Sequence, residues 1–220
     1  YSDDLVTWTY TQIVLPMAGN HRSAYPNVFK VNGTWYMTPD SGWQCNLYRA
    51  TNFPYTWELV NQYLLPNTGY YNDTNIFFVS GKWYMTTAKD GNGVDLYVCD
   101  TDDFKSSAWT FVSKIIPNAN GLTATRCAGT PDVRDGYVLM PIQFTEGGVY
   151  GKYTKLYKLS NFGTVDFRAT DMGKFTQNQE NGLWNSRSMH HASFAPYFGS
   201  KRIFAADGQR PGGEYAIGLY

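Results

Sequence analysis

A repeated aromatic triplet constrains this chain more than any other feature. Trp35-Tyr36-Met37 follows Asn32-Gly33, and the same triplet returns 48 residues later as Trp83-Tyr84-Met85, after Ser80-Gly81. An apolar run precedes each turn: Val28-Phe29-Lys30-Val31 in one copy, Ile76-Phe77-Phe78-Val79 in the other. Asn-Gly is a two-residue hairpin signal because both residues tolerate positive φ, and aromatic and β-branched residues suit strands. A third strand follows in each copy, at residues 46–50 and 96–99, and a fourth opens at Trp57 and at Trp109. Four short strands recurring every 40–50 residues or so describe a blade of a β-propeller.

Two looser copies complete the count. One runs from Pro131-Asp132-Val133 through Asp135-Gly136 to Val165-Asp166-Phe167. The other starts at Ser193-Phe194 and stops after a third strand, residues 215–220. Residues 4–16 (DLVTWTYTQIVLP) match the missing fourth strand when the chain is read from its end to its start. The expected fold is therefore all-β: a single propeller domain over residues 1–220, with antiparallel four-stranded blades near 25–66, 71–117, 126–170 and 189–220 plus 1–16. The N-terminal strand would complete the C-terminal blade and leave no free sheet edge at the seam. Direct repeats give four blades. A chain that opens on Tyr1 rather than Met suggests a natural chain extending upstream, which would make five.

Composition narrows the function classes. Eighteen Lys and Arg balance eighteen Asp and Glu, and such neutrality argues against nucleic acid and against electrostatic membrane binding, both of which want a basic face. No apolar run approaches the ~20 residues of a membrane span. Three cysteines, Cys45, Cys99 and Cys127, have no metal-type spacing and cannot all pair with one another, so they read as buried small hydrophobes. The sequons at Asn32-Gly33-Thr34 and Asn72-Asp73-Thr74 suggest an extracellular or secretory location.

The segments that approach each innermost strand supply the candidate site, because in a propeller they cross to the central channel. His21, Arg22 and Tyr25 stand at the first, Asp73 at the second, Arg126 at the third and the pair His190-His191 at the fourth. Asp40, Gln143, Glu146 and Asp207 lie after the second strands, near the same rim. Some have a plain structural alternative: the first approach as a solvated loop, Asp40 and Asp73 as turn-capping residues, Glu146 as a solvent-facing side chain in a Gly147-Gly148 loop. Adjacent histidines on a strand point to opposite faces, so they cannot both ligate one metal without a bend, and no metal or cofactor is expected. No nucleophile elbow, phosphate-binding glycine loop or zinc motif occurs. A ring of Tyr, Asp, Arg and His with abundant Trp suits carbohydrate.

The residues also carry a resemblance. Residues 23–29 (SAYPNVF), 36–41 (YMTPDS), 47–54 (LYRATNFP) and 73–77 (DTNIF) form one part of a pattern. Gln143, Tyr150-Gly151, Trp184-Asn185, His190-His191 and Asp207-Gly208 continue it in order. Together they resemble the propeller domain at the N-terminus of plant glucosamine inositolphosphorylceramide transferases, which also occurs in bacterial proteins attached to sugar-modifying enzymes. That family is in turn similar to the five-bladed arabinanase and xylosidase glycoside hydrolases of family 43. The resemblance implies a glycan or glycoconjugate partner held in the funnel by His21, Tyr25, Arg126, Gln143, His190, His191 and Asp207. If the chain hydrolyses, it implies inversion with Asp73 as general base and Asp40 or Glu146 as acid, a pair that needs its carboxyls about 6.5–9.5 Å apart. Asp40 stands where the family pattern commonly has Glu, and the third approach carries Arg126 rather than a carboxylate. The alternatives are a noncatalytic glycan-binding or structural module, repeated in tandem in a larger extracellular assembly, and a protein–protein platform.

Overall fold

A computed structural model describes residues 2–16, 23–118, 125–179, 182–196 and 201–220 of the chain. It is all-β, and its sheets are the blades of a four-bladed propeller. Blade 1 contains β1 (Ala24–Val31), β2 (Thr34–Asp40), β3 (Leu47–Asn52) and β4 (Thr56–Asn61). Blade 2 contains β5 (Tyr71–Val79), β6 (Lys82–Lys89), β7 (Val94–Cys99) and β8 (Trp109–Ile116). In both, neighbouring strands pair antiparallel in chain order. The two repeated turns form as expected: Asn32 and Gly33 take φ of 47° and 83°, and Ser80 and Gly81 take 50° and 78°. These signs match the right-handed twist of the strands they join.

Blade 3 departs from the repeat. Its innermost strand is broken into β9 (Arg126–Cys127) and β10 (Asp132–Arg134), both paired to β11 (Tyr137–Glu146), with β12 (Val149–Ser160) and β13 (Arg168–Gln177) outside. The break lets residues 128–130 turn toward blade 4, which contains β14 (Ala192–Pro196), β15 (Arg202–Gln209) and β16 (Tyr215–Leu219). There Ala192 N–H donates to the Ala128 carbonyl at 2.6 Å and Phe194 N–H to the Thr130 carbonyl at 3.0 Å.

Among the described residues blade 4 has three strands, and β16 is the outermost of them. The fourth strand expected from the N-terminus is not formed: residues 2–16 carry no strand. Two local interactions outcompete it. The Asp4 carboxylate accepts from the backbone N–H groups of Val6 and Thr7 at 2.8 and 2.7 Å, donors that a strand would offer to a neighbour. Those bonds hold the Asp4 carboxyl down at about 2. Further along, Leu15 packs on the Met37, Tyr48 and Trp57 cluster of blade 1, and the Tyr48 hydroxyl donates to the Pro16 carbonyl at 3.3 Å. The segment is therefore drawn to the flank of blade 1.

The core lies between blades rather than within them. Tyr36, Leu47, Ile76, Met85 and Trp109 pack together between blades 1 and 2, and Phe77, Tyr84, Val138, Met140 and Leu159 between blades 2 and 3. Adjacent residues of one strand, Ile76 and Phe77 or Tyr84 and Met85, thus serve opposite interfaces. A strand buried on both faces reads as a continuous apolar run instead of an alternation, which is the pattern of both aromatic triplets. The three cysteines are free and buried, and burial pushes the Cys45 and Cys127 thiols up to about 12, which leaves them inert at neutral pH.

Candidate functional site at the channel mouth

The site is organised by a backbone device used twice. In β5 the register slips between Asn72 and Asn75, and Asp73, inside the slip, takes a φ of +56°. In β1 the register slips between Ala24 and Asn27, and Tyr25 takes a φ of +46°. The two residues lie 48 positions apart, the period of the aromatic triplet, so each is the same bulge in successive blades. A non-glycine residue in this region costs about 1–2 kcal/mol, and a bulge re-aims the side chain it carries.

The two re-aimed side chains serve different ends. The Tyr25 hydroxyl accepts from Gly129 N–H at 2.7 Å and Asn75 Nδ2 at 3.1 Å, and donates to the Gly129 carbonyl at 2.9 Å. It thereby ties blades 1, 2 and 3 at the axis, and burial holds it well above the usual phenol range. Its ring stands edge-on to His191, centroids 5.2 Å apart, where blade 1 meets blade 4.

Asp73 keeps its charge chemistry. Only 5% exposed, it faces Arg126, whose Nε lies 3.1 Å from Oδ2. Burial pushes the carboxyl up to about 7; Arg126 opposes that rise, Asp40 adds to it, and His190 opposes it more weakly. Near neutral pH this carboxyl is present in both protonation states. Arg126 also donates from Nη2 to the Tyr150 hydroxyl and lies 5.4 Å from the centre of that ring. It sits opposite Gln143, buried, in the β9–β11 ladder.

Blade 4 supplies a second cluster. The Asp207 carboxylate accepts from His190 N–H at 2.9 Å and His191 N–H at 2.8 Å, and its other oxygen meets His190 Nδ1. The adjacent imidazoles then part: His190 stands between the rings of Tyr150 and Tyr215, each at 5.4 Å, whereas His191 turns to Ser193 (2.8 Å) and Tyr25. Burial lowers His191 to about 4, with the nearby Asp207 charge partly opposing it, so this imidazole is neutral at pH 7. Gly151 lets blade 3 come this close, since a Cβ there would sit 2.1 Å from the Cβ of His190.

The remaining expected residues fall at the rim or beyond view. Asp40 accepts from Asn72 Nδ2 at 3.0 Å and Gly42 N–H at 3.1 Å, beside Asp73. Glu146 is 45% exposed at the tip of the β11–β12 hairpin and pairs with Lys152 at 3.4 Å, and it is not among the charges acting on Asp73. His21 and Arg22 lie outside the described residues. The structure thus gathers Asp73, Arg126, Gln143, His190, His191, Asp207 and Tyr25 at one end of the channel, with Asp40 at its edge. Tyr150, part of the pattern that carries the resemblance, stands there too, and the structure adds residues that the sequence reading did not choose: Tyr215 and the pair Trp43–Tyr70. These last two rings are 45% and 43% exposed with centroids 4.4 Å apart, on the loops that flank Asp40 and Asn72. Their signal in the sequence was an aromatic beside glycine at each end of blade 1's outer half, Gly42-Trp43 and Gly69-Tyr70. Among the described residues no three His, Cys, Asp or Glu side chains gather as a metal site, and no helix is long and apolar enough to cross a membrane.

Comparison with known proteins gives a consistent picture. A family profile described as glucosamine inositolphosphorylceramide transferase 1, N-terminal, matches residues 1–209. Glucosamine inositolphosphorylceramide transferase 1 of Arabidopsis thaliana is 26% identical over 215 residues, covering 94% of this chain and 28% of its own length. The protein of the same name from Oryza sativa subsp. indica is 24% identical over 226 residues, covering 96% and 29%. The chain therefore spans 28–29% of the length of these curated relatives. Among solved structures, an exo-1,5-alpha-L-arabinanase from a bovine ruminal metagenomic library superposes with a TM-score of 0.65 at 19% identity, covering 99% of this chain and 83% of that one. The catalytic domain of a Coprinopsis cinerea GH62 alpha-L-arabinofuranosidase also gives 0.65, at 13% identity, with 91% and 73% covered. At these identities the likeness is one of fold.

Proposed function

The chain belongs to the family of N-terminal regions of glucosamine inositolphosphorylceramide transferase 1, and on that footing we propose that its channel mouth recognises a glycan, as part of a glycoconjugate, without cleaving it. The observation that carries this reading is the engagement of the three aspartates that the described residues gather at the mouth. Asp73 is closed by Arg126, Asp207 by two backbone N–H groups and His190, and Asp40 by Asn72 and Gly42. Glu146 stands off on an outer hairpin with Lys152. Inverting hydrolysis instead asks for two carboxyls facing each other across room for a water.

What the mouth offers is recognition chemistry. A guanidinium and a carboxyl lie side by side, and planar side chains of this kind bridge neighbouring sugar hydroxyls. The Asp73 carboxyl, near its midpoint at neutral pH, donates in one state and accepts in the other. Tyr150, Tyr215 and the Trp43–Tyr70 pair present rings to solvent on which a sugar face can lie. The relatives are named as sugar-lipid transferases and the solved propellers as arabinan- and arabinofuranoside-acting enzymes, which supports a saccharide as the ligand class.

A glycan-array screen with the wild type, Asp73→Asn and Trp43→Ala tests this. Binding to a defined glycan set is expected, weakened about tenfold by Trp43→Ala, a loss of about 1.4 kcal/mol. Absence of binding to any glycan would remove the reading. One observation favours a second reading: a buried axial carboxyl near pH 7 is also what a general acid–base requires. Glycans released by the wild type and not by Asp73→Asn would establish that alternative.

A further inference from the structure

The channel has a second end, unlike the first. Where the innermost strands finish, a cavity of about 570 Å³ lies among all four blades. Its size falls within the roughly 300–1,000 Å³ typical of small-molecule sites. Phe78, Trp83, Val133 and Phe194 make its walls mainly apolar, in contrast to the carboxylates and imidazoles of the opposite mouth.

Its charge is one-sided. Asp132 lines the cavity and is bonded by two guanidiniums, Arg134 Nε at 2.6 Å and Arg202 Nε at 2.9 Å. Lys30 adds a third cation, held 5.2 Å over the ring of Trp35 on the cavity wall. Arg134 braces Asp132 from outside the lining, so on the cavity wall itself one carboxylate stands against two cations, Lys30 and Arg202. We propose that this end of the channel is a second binding site, for a small molecule with an apolar body and a single anionic head, the body against Phe78, Trp83 and Phe194 and the head toward Lys30 and Arg202. The apolar wall supplies burial and the excess positive charge selects the sign.

Calorimetric titration with decanoate, and with decyltrimethylammonium as its cationic counterpart, tests this on the wild type, Lys30→Glu and Val133→Trp. Lys30 is exposed and Val133 is 37% exposed, so both changes are compatible with folding, which circular dichroism verifies. Decanoate is expected to bind one to one, at least tenfold more weakly to Lys30→Glu, and not to Val133→Trp, whose indole occupies the cavity. Decyltrimethylammonium is expected not to bind at the same concentrations. Failure of decanoate to bind, equal binding of the two amphiphiles, or indifference to Lys30→Glu would each overturn the proposal.

Discussion

Gly129→Ala is expected to destabilise the protein by roughly 3–5 kcal/mol, among the largest effects of a single methyl group. At Gly129 φ is +127°, and a Cβ would lie 2.3 Å from the carbonyl oxygen of Ala192. Both sides of that clash are backbone, so no side chain can swing away. The peptide also occupies the junction of three blades: its N–H donates to Tyr25 and its neighbours accept from Ala192 and Phe194. Gly33→Ala is the control. Its φ of +83° is also left-handed, but nothing lies within 4 Å, so only the local conformational cost of about 1 kcal/mol applies. Urea unfolding of the two variants measures the difference, and near-equal midpoints would mean that blades 3 and 4 do not meet as described.

The second expected result is a pair of opposed pH dependences. In the folded protein Asp73 titrates at about 7 against an ordinary value of 3.8. Between those values the native state holds a proton that the unfolded chain has released, so this group removes stability as pH rises through the window. His191 titrates at about 4 against an ordinary 6.5. Between those values the unfolded chain takes up a proton that the native state refuses, so this group removes stability as pH falls. The windows overlap from about pH 4 to 6.5, where each slope reaches at most about 1.4 kcal/mol per unit and the two oppose. The wild type is therefore expected to be nearly flat there. Asp73→Asn should become more stable as pH rises across the overlap, and His191→Gln less stable. Unfolding midpoints from pH 4 to 7 read all three curves; variants that track the wild type would show that neither group is buried as described.

How much of this was legible in the sequence depends on the distance over which each feature is decided. Asn32-Gly33 and Ser80-Gly81 are local, and their hairpins form as read. The 48-residue period is regional, and it locates both the blades and, once the bulge is seen, the equivalence of Tyr25 and Asp73. The N-terminal strand failed because the match of residues 4–16 to a blade's outer strand says nothing about competitors. Asp4 captures the first backbone donors, and Leu15 and Pro16 find blade 1. The approach of Arg126 to Asp73 joins residues 53 positions apart across two blades, and no spacing within either blade announces it. Trp43 and Tyr70 were missed because an aromatic residue in an aromatic-rich chain reads as core until its exposure is known.

Proton NMR of the protein with a bound glycan tests the recognition reading most directly, because the chain has only three histidines and two of them stand at the mouth. The ring signals of His190 and His191 are expected to shift on saturation with glycan, while the anomeric signals of the glycan persist unchanged over hours. New anomeric signals that Asp73→Asn abolishes, or a bound glycan that leaves both imidazoles unmoved, would contradict it.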